Sequence, residues 1–342
     1  MAFNNLLNLA HSKVALKPPL PPLPTRPFLS APSRLSPLRL SLRSEPPPPQ
    51  RVRSSASTPS DGAAPSPPSS REEAVAQARS CLSTALQKPL NNSVPLKKLK
   101  RQRQARFRAE IPVVDDSPGS LARLTFDVFT GAAGVKRKGA PARLILVWPS
   151  AEALAVALRE FKNWGDSTTA HAQLGSVAQD SLSACDAAVF LAPGPSQVEK
   201  VKAAAAALDP RPVVLFNPAW SFDEEEGEGF DAGARGFVGS FNVVYSFTGL
   251  EVRGLLSKKR GVLLRCVEGG RFGGESWVLM VEDDAPAKQG EFKVVSRLKR
   301  RPTIGEVETM LYNLMAANSP VTKSARFLRE MVSNVTGGKA KQ

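Results

Sequence analysis

The stretch "DAAVFLAPGPSQVEKVKAAAAALDPRPVVLFNPAW", residues 186–220, decides the predicted fold. Its apolar runs "AAVFL" and "PVVLF" contain no polar residue, which is typical of strands buried on both faces of a sheet. The segment between them has a helical period, and its apolar positions are Val198, Val201, Ala205 and Leu208. A strand, a helix and a second strand in this order indicate parallel pairing within an α/β layer fold.

The same alternation continues on both sides of this stretch. Upstream, "ARLILVW" predicts a strand and "PSAEALAVALREF" a helix with Leu154, Leu158 and Phe161 on one face. Downstream of Trp220, "FVGSFNVVYSF", "GVLLRCVEG", "ESWVLMVED" and "EFKVVSRL" predict strands joined by short turns. "PTIGEVETMLYNLMAAN" predicts a closing helix. The expected fold is therefore α/β, a mainly parallel sheet with helices on both faces, followed by an antiparallel β extension and a C-terminal helix.

The first 60 residues have a different composition. They hold eight cations against one carboxylate and are crowded with serine, leucine and proline. Acid-poor, Ser- and Arg-rich starts are typical of organelle transit peptides, although an ordinary disordered tail stays open as an alternative. No Arg-faced amphipathic helix is evident, which favours a plastid over a mitochondrion. We therefore expect a chloroplast protein, in the stroma or peripherally on the thylakoid.

These observations predict the following organisation. The expected order is a transit peptide over 1–57, a disordered linker over 58–70, a single α/β domain over 71–335 and a disordered tail over 336–342. Within the domain we expect a helical and basic lead-in over 71–110, the α/β layer over 111–220, antiparallel strands over 235–300 and a helical end over 302–331.

Three predicted strands end at a proline: Pro149, Pro193 and Pro218. The residue before a proline avoids the helical region, so each strand is expected to stay extended to its last residue. Ser150 and Ser196 then stand where helix N-caps are needed. Because the carboxyl ends of parallel strands bind ligands in such sheets, we predict a binding rim there. Its candidate residues are Trp148, Ser150, Ser196, Asn217, Pro218 and Trp220. The alternative is that these residues only stop strands and start helices.

A short basic run is the second candidate site. It carries most of the net charge left once the first 60 residues are removed, and it could bind an anionic partner. The anionic partner could be the thylakoid surface or a nucleic acid. A solvated stretch facing the acidic loop Asp223–Asp231 remains open as well. The candidate residues are Lys97, Lys98, Lys100, Arg101, Arg103, Arg106 and Arg108.

Other side chains argue against common catalytic chemistry. Cys81, Cys185 and Cys266 are far apart, which predicts neither a disulfide framework nor a zinc site. His171 is the single histidine after the predicted presequence, and we expect a structural role for it. No strand is followed by a phosphate-binding glycine motif. We therefore predict no catalytic residue, no metal and no cofactor.

Several short motifs together resemble a known family. They are, in chain order, "EIPV", "LILVWPS", "LFNPAW", "FNVVYSF", "GVLLRCV" and "RPTIGEVETML". In this order they resemble a domain of unknown function of plastid and cyanobacterial proteins. That domain is carried by the chloroplast "low photosystem II accumulation" proteins and by the C-terminal extension of a plastid adenylate kinase. The resemblance spans roughly residues 71–331, and "LFNPAW" is its most distinctive element.

The resemblance implies a non-enzymatic accessory role in photosystem II assembly or accumulation. Photosystem II subunits or assembly factors would be the partners, and the family has no catalytic residues to assign. Two other hypotheses remain open at this point. One is RNA binding through residues 97–108, and the other is a small-ligand or nucleotide site at the strand-end rim.

Overall fold

A computed structural model describes the greater part of the chain. All described residues belong to one of the two compact units into which the chain divides, the unit formed by Met1–Leu16 and Pro65–Gln342. The described residues are 12–15, 66–91, 103–112, 115, 117–165, 169–176, 184–227, 229–253, 258–267, 277–283 and 290–318. The predicted linker up to residue 65, the predicted C-terminal tail and all of the predicted transit peptide except 12–15 lie outside them.

The elements alternate along the chain much as the sequence predicts. The strands are β1 (Ser12–Ala15), β2 (Arg106–Glu110), β3 (Lys136–Arg137), β4 (Ala140–Pro141), β5 (Leu144–Trp148), β6 (Ala170–Gln173), β7 (Ala187–Leu191), β8 (Val213–Phe216), β9 (Asn242–Arg253), β10 (Lys258–Cys266), β11 (Trp277–Glu282) and β12 (Phe292–Leu298). The helices are α1 (Arg71–Asn91), α2 (Pro118–Phe129), α3 (Ala151–Asn163), α4 (Val198–Leu208), α5 (Phe222–Glu226), α6 (Ala232–Val238) and α7 (Ile304–Asn318).

Ten of the strands form one mixed sheet in the order β12-β11-β10-β9-β2-β8-β7-β5-β6, with β1 beside β9. Pairing is parallel from β9 through β2 and β8 to β6. It is antiparallel from β9 to β12. The predicted fold class, with a mainly parallel half followed by an antiparallel extension, is therefore confirmed.

Helices cover both faces of the sheet. Helices α1, α2 and α3 share one hydrophobic cluster with alternate residues of the strands, such as Leu144 and Leu146 of β5. The other alternate residues, such as Ile145 and Val147, pack with α4 and α6. A separate cluster on the antiparallel strands includes Val307 of α7. Strands buried on both faces explain why β5, β7 and β8 are continuous apolar runs.

One predicted helix face is wrong in part. Leu158 of α3 is 51% exposed, although the sequence pattern placed it on the buried face. The buried residues of the helix are Ala153, Ala157 and Phe161. Two alanines let α3 approach the sheet closely, and the ring of Phe161 supplies the bulk of the contact, so the leucine faces solvent.

The basic run and the acidic loop both take part in the fold. Arg106–Glu110 forms β2, which lies between β8 and β9 in the middle of the sheet. The acidic stretch after Trp220 forms the short helices α5 and α6. Ser221 caps α5, and Asp231 caps α6 by accepting hydrogen bonds from main-chain N–H groups. The Asp231 carboxylate of this acidic stretch therefore has a structural role.

Candidate functional site

The carboxyl ends of β2, β5, β7 and β8 surround an open cavity of about 940 Å³, which we call the edge cavity. Its lining is rich in proline and other apolar side chains. The prolines are Pro112, Pro118, Pro149 and Pro218, and the other apolar residues are Ile111, Leu121, Ala153, Ala192, Ala219, Trp220 and Phe247. This is the edge where open α/β sheets bind their ligands.

Asn217 ties two strand ends together at the floor of the edge cavity. Its side-chain Oδ1 accepts a hydrogen bond from the Ile111 main-chain N–H, and its Nδ2 donates to the Ile111 carbonyl, each at 2.7 Å. Its main-chain N–H donates to the Ala109 carbonyl at 3.0 Å. The side chain thus extends the β2–β8 ladder by one residue. Asn217 therefore has a structural task, and its amide is committed to the backbone.

Two residues at this edge have left-handed backbone conformations. The φ angle is 46° at Asn217 and 39° at Ala192, and each residue precedes a proline. The prediction that these residues stay extended is therefore wrong. Main-chain hydrogen bonds hold the conformation, from Ala192 N–H to the Phe216 carbonyl at 2.8 Å and from Ala219 N–H to the Pro193 carbonyl at 3.0 Å. Such conformations cost a non-glycine residue about 1–2 kcal/mol. Backbone strain of this kind often clusters at functional sites.

Trp148 does not lie on the rim. Its side chain is fully buried, and its Nε1–H donates to Nδ1 of His171 at 3.0 Å. The His171 ring is nearly parallel to the Trp148 ring, with 6.0 Å between their centroids, and it packs edge-to-face against Phe161, with 4.6 Å between the His171 and Phe161 centroids. The structural role expected of His171 is thus confirmed, and Trp148 belongs to the same packed cluster of rings.

The two predicted capping serines differ. Ser150 caps α3, because its Oγ accepts from the Ala153 main-chain N–H at 3.1 Å, and it lines the edge cavity. Ser196 is exposed in the 3-10 turn Pro195–Gln197 and caps no helix. Gln197 takes the connecting role instead, since its Nε2 donates to the Pro149 carbonyl at 2.8 Å. Of the predicted rim, the structure brings together Ser150, Asn217, Pro218 and Trp220 around the cavity.

A buried charge network lies next to the cavity, and the sequence pattern indicates only part of it. Trp220 Nε1 donates to Glu225 at 2.5 Å, and Glu225 also pairs with Arg108. Arg108 reaches Glu110 at 2.5 Å, and Glu110 accepts from Arg301 at 3.1 Å. The network thus joins β2, α5 and the turn before α7. The expected proximity of the basic run to the acidic loop holds for the Arg108–Glu225 pair.

Glu110 stays ionised despite its burial. Burial acts to raise its pKa, but the guanidinium groups of Arg301 and Arg108 and the Ser246 hydroxyl lower the pKa to about 2. The Ser246 Oγ lies 2.7 Å from the carboxylate. Ser246 reaches this position because a bulge in β9 shifts the pairing between Arg108 and Ala109.

The residues of the predicted anion-binding segment differ in their exposure and contacts. Lys97, Lys98, Lys100 and Arg101 lie outside the described residues, and Arg103 is exposed. Arg106 donates to Gln104 Oε1 at 3.1 Å and to Ser240 Oγ at 2.8 Å, with its guanidinium 4.8 Å from the Phe237 ring centroid. Arg108 is buried in the charge network. The strand conformation of β2 therefore gives Arg106 and Arg108 structural contacts within the fold.

The charges that line the edge cavity are all negative in the described part of the chain. They are Glu110, Asp115 and Glu224, and no lysine or arginine lines the cavity there. Hydrogen bonds from Ser117 lower the pKa of Asp115, and hydrogen bonds from Ser221 lower that of Glu224. All three carboxylates are thus ionised at neutral pH. The cavity is consequently suited to apolar and cationic groups, and poorly suited to phosphate.

Within the described ranges, no group of three or more His, Cys, Asp or Glu side chains could hold a metal ion. No helix in that part of the chain is long and apolar enough to cross a membrane.

The sequence matches one known protein family over most of this architecture. Residues 68–309 match the family described as "Domain of unknown function (DUF1995)". The chain belongs to the DUF1995 family. The matched DUF1995 region begins just before α1 and ends within α7, so it contains the edge cavity and the charge network. The expected membership of a domain-of-unknown-function family is confirmed.

Other comparisons add no function to the DUF1995 assignment. No curated protein matches the sequence. A KaiC-like protein from Pyrococcus horikoshii OT3 is 10% identical with a TM-score of 0.27, over 60% of this chain and 98% of that one. The flagellar accessory protein FlaH from Methanocaldococcus jannaschii is 8% identical with a TM-score of 0.24, over 60% of this chain and 97% of that one. These scores are too low to support any statement about this chain.

Proposed function

We propose that this protein is a non-enzymatic chloroplast accessory factor that holds a polypeptide segment of a photosystem II subunit or assembly intermediate. The segment would bind in the edge cavity. The single observation that carries the binding proposal is the lining of that cavity, which is apolar and proline-rich and whose described charges are all carboxylates. The assignment to the chloroplast and to photosystem II is supported by the composition of residues 1–57 and by the motif resemblance that includes "LFNPAW".

The chemistry of the lining defines the expected segment. Proline rings and other apolar side chains offer contact surface to an extended chain, as aromatic side chains do in the grooves that bind proline-rich peptides. Ionised carboxylates at the walls attract lysine or arginine and repel phosphate. We therefore expect an apolar segment that carries positive charge. A nucleotide, the alternative for this rim, would bring its phosphates against Glu110, Asp115 and Glu224.

The most distinctive sequence element fits a holding role better than a catalytic one. In "LFNPAW", the Asn217 amide is bonded to Ile111, and the Trp220 N–H is bonded to Glu225. Both polar groups therefore fix the shape of the cavity. A rigid, pre-formed cavity lowers the entropic cost of binding, because fewer groups must be ordered when the segment binds.

Filling the cavity tests this proposal. Ala219 is exposed and lines the cavity, so Ala219→Trp would occupy it with little effect on the core. Ala203 is exposed in α4 and does not line the cavity, so Ala203→Trp is a matched control. Each tagged variant would be purified from gently solubilised chloroplasts, with and without RNase.

We expect the unmodified protein and Ala203→Trp to recover photosystem II subunits in both conditions, and Ala219→Trp to lose most of them. Recovery that is equal in all three proteins would contradict the cavity as the binding site. Recovery that disappears with RNase would instead support the RNA-binding hypothesis.

A further inference from the structure

A second pocket lies on the sheet face covered by α5 and α6. The role inferred for it is separate from the peptide binding proposed for the edge cavity. We call it the basic pocket, and its volume is about 350 Å³. Five cations line it against one carboxylate, Glu225. The cations are Arg108, Arg265, Lys299, Arg300 and Arg301. They come from β2, from β10 and from the turn between β12 and α7, so only the folded chain brings them together.

The aromatic ring of Trp277 organises two of these cations. The Arg301 guanidinium lies 5.1 Å from the Trp277 ring centroid and 4.9 Å from that of Phe222. The Arg265 guanidinium lies 5.8 Å from the Trp277 centroid, and its Nε donates to the Val243 carbonyl. Cation–π contacts of this kind hold guanidinium groups in place. The cations are thus pre-positioned and lose little freedom on binding a ligand.

The positive charge of the pocket is only partly neutralised. Glu225 and Glu110 pair with Arg108, Glu110 also pairs with Arg301, and Glu306 pairs with Arg300. These three carboxylates thus pair with three of the five cations, Arg108, Arg300 and Arg301. Among the described residues, no carboxylate lies within ion-pair distance of Lys299, which is exposed at the pocket.

The apolar part of the lining strengthens this charge. Phe222, Val238 and Phe241 line the pocket, and the latter two are buried. Charges act over longer distances beside such groups than in water. Guanidinium groups also match the oxygen geometry of phosphate in paired hydrogen bonds. Excess cationic charge, fixed guanidinium groups and low polarity are the features of a phosphate site.

We propose that the basic pocket binds a small phosphate-bearing anion. The volume exceeds that of a phosphate group and leaves room for a compact attached moiety. Free orthophosphate and a phosphomonoester share this chemistry, and the pocket would hold either one by its phosphate oxygens.

The test uses the protein without residues 1–57, the predicted transit peptide. Orthophosphate and glucose 6-phosphate are the separate probes. Binding would be measured by isothermal titration and by tryptophan fluorescence at constant ionic strength, with chloride as the reference anion. Lys299→Gln and Arg300→Gln remove exposed cations of the pocket without entering the core. Lys293→Gln and Arg297→Gln are matched controls, because both are exposed cations of β12 outside the pocket. Trp277→Phe identifies the fluorescence change that comes from the pocket.

We expect saturable binding that weakens about tenfold or more in Lys299→Gln and in Arg300→Gln, as for loss of a charge-assisted contact. The two control variants should bind as the unmodified protein does. Tighter binding of glucose 6-phosphate would identify a phosphomonoester as the ligand class, and equal binding would identify phosphate itself. No saturable binding of either probe, or equal weakening in the control variants, would overturn the proposal.

The Cys81 and Cys266 sulfur atoms lie 3.4 Å apart, although 185 residues separate them in the chain. Cys81 is buried in α1, and Cys266 is half-buried at the end of β10. A disulfide needs sulfur atoms roughly 2 Å apart, so closing the remaining gap requires only a small movement.

The geometry points to a reversible disulfide between Cys81 and Cys266, formed by a hydroperoxide. In the first step the more exposed Cys266 thiol reduces the peroxide O–O bond and becomes a sulfenic acid, with release of water or an alcohol. In the second step the Cys81 sulfur attacks the Cys266 sulfur, and a water molecule leaves. The two thiols together lose two electrons and two protons.

Peptide mapping after treatment of the folded protein with hydrogen peroxide tests this disulfide. We expect a peptide pair linked through Cys81 and Cys266 that dithiothreitol separates, with Cys185 still a thiol. Cys185 is a suitable internal reference because it is buried and burial raises the pKa of its thiol. In Cys81→Ala, Cys266 should proceed to sulfinic acid instead. Oxidation of Cys266 beyond sulfenic acid in the unmodified protein, with Cys81 still reduced, would overturn the inference, as would an unreacted pair.

Discussion

The half-buried carboxylate of Glu110 should contribute strongly to the acid stability of the domain. In the folded protein its pKa is about 2, compared with an ordinary value of 4.5. Because folding lowers this pKa, the ionised group stabilises the fold. The stabilisation is complete above about pH 4.5 and is lost as the pH falls toward 2. A difference of about 2.5 pKa units corresponds to about 3 kcal/mol of stability at neutral pH.

Glu110→Gln removes this charge and keeps the size of the side chain. It also leaves the guanidinium groups of Arg108 and Arg301 without one carboxylate partner. Removing one member of a buried ion pair costs about 3–5 kcal/mol. We expect the variant to lose that much unfolding free energy at pH 7. The difference from the unmodified protein should shrink by about 2 kcal/mol at pH 3, where most of the native stabilisation has gone.

Urea denaturation at a series of pH values measures both quantities. Glu152→Gln is the control, since Glu152 is an exposed carboxylate in the first turn of α3. It should change the free energy of unfolding by about 0.5 kcal/mol or less. A loss below about 1 kcal/mol at pH 7 in Glu110→Gln, or a difference that does not vary with pH, would refute the role assigned to Glu110.

Four further substitutions test the strand ends and the core by urea denaturation at pH 7. Asn217→Asp keeps the shape but removes the donor to the Ile111 carbonyl, so we expect the free energy of unfolding to fall by about 2 kcal/mol. An unchanged value would contradict the structural task of the Asn217 amide. Ala192→Gly should stabilise the protein by up to about 1 kcal/mol, because its φ of 39° favours glycine, and a clear loss would contradict the strain. Phe161→Ala should cost about 3–5 kcal/mol and Leu158→Ala about 0.5 kcal/mol or less, and similar costs would contradict the packing of α3.

The sequence predicts most of the parallel half of the fold because its signals are local. Strands buried on both faces are continuous apolar runs, and α4 has an apolar face that matches its burial. The position of β2 in the sheet cannot be predicted from such local signals. Arg106 and Arg108 alternate with Phe107 and Ala109, and the run looks like a solvated basic stretch until Glu225 is known to face it.

For the candidate site, the sequence likewise predicts the location but not the contacts of its side chains. The proline-ended strands correctly indicate where four rim residues lie, because pairing is parallel and the strand ends therefore meet. The sequence does not show which polar groups face the cavity. The Asn217 amide and the Trp220 N–H are directed to Ile111 and Glu225, contacts that only the folded chain establishes. The sequence does not show that residues 299–301 line a pocket, because Arg265 and Trp277 approach them only in the folded sheet.

Site-specific photo-crosslinking in chloroplasts would show whether a photosystem II subunit contacts the edge cavity. A photoreactive amino acid at position 219 would report on the edge cavity, and one at position 203 on the exposed face of α4. The proposal predicts crosslinks to a photosystem II subunit from position 219, resistant to RNase, and few or none from position 203. Crosslinks to RNA, or the same proteins in equal yield from both positions, would contradict it.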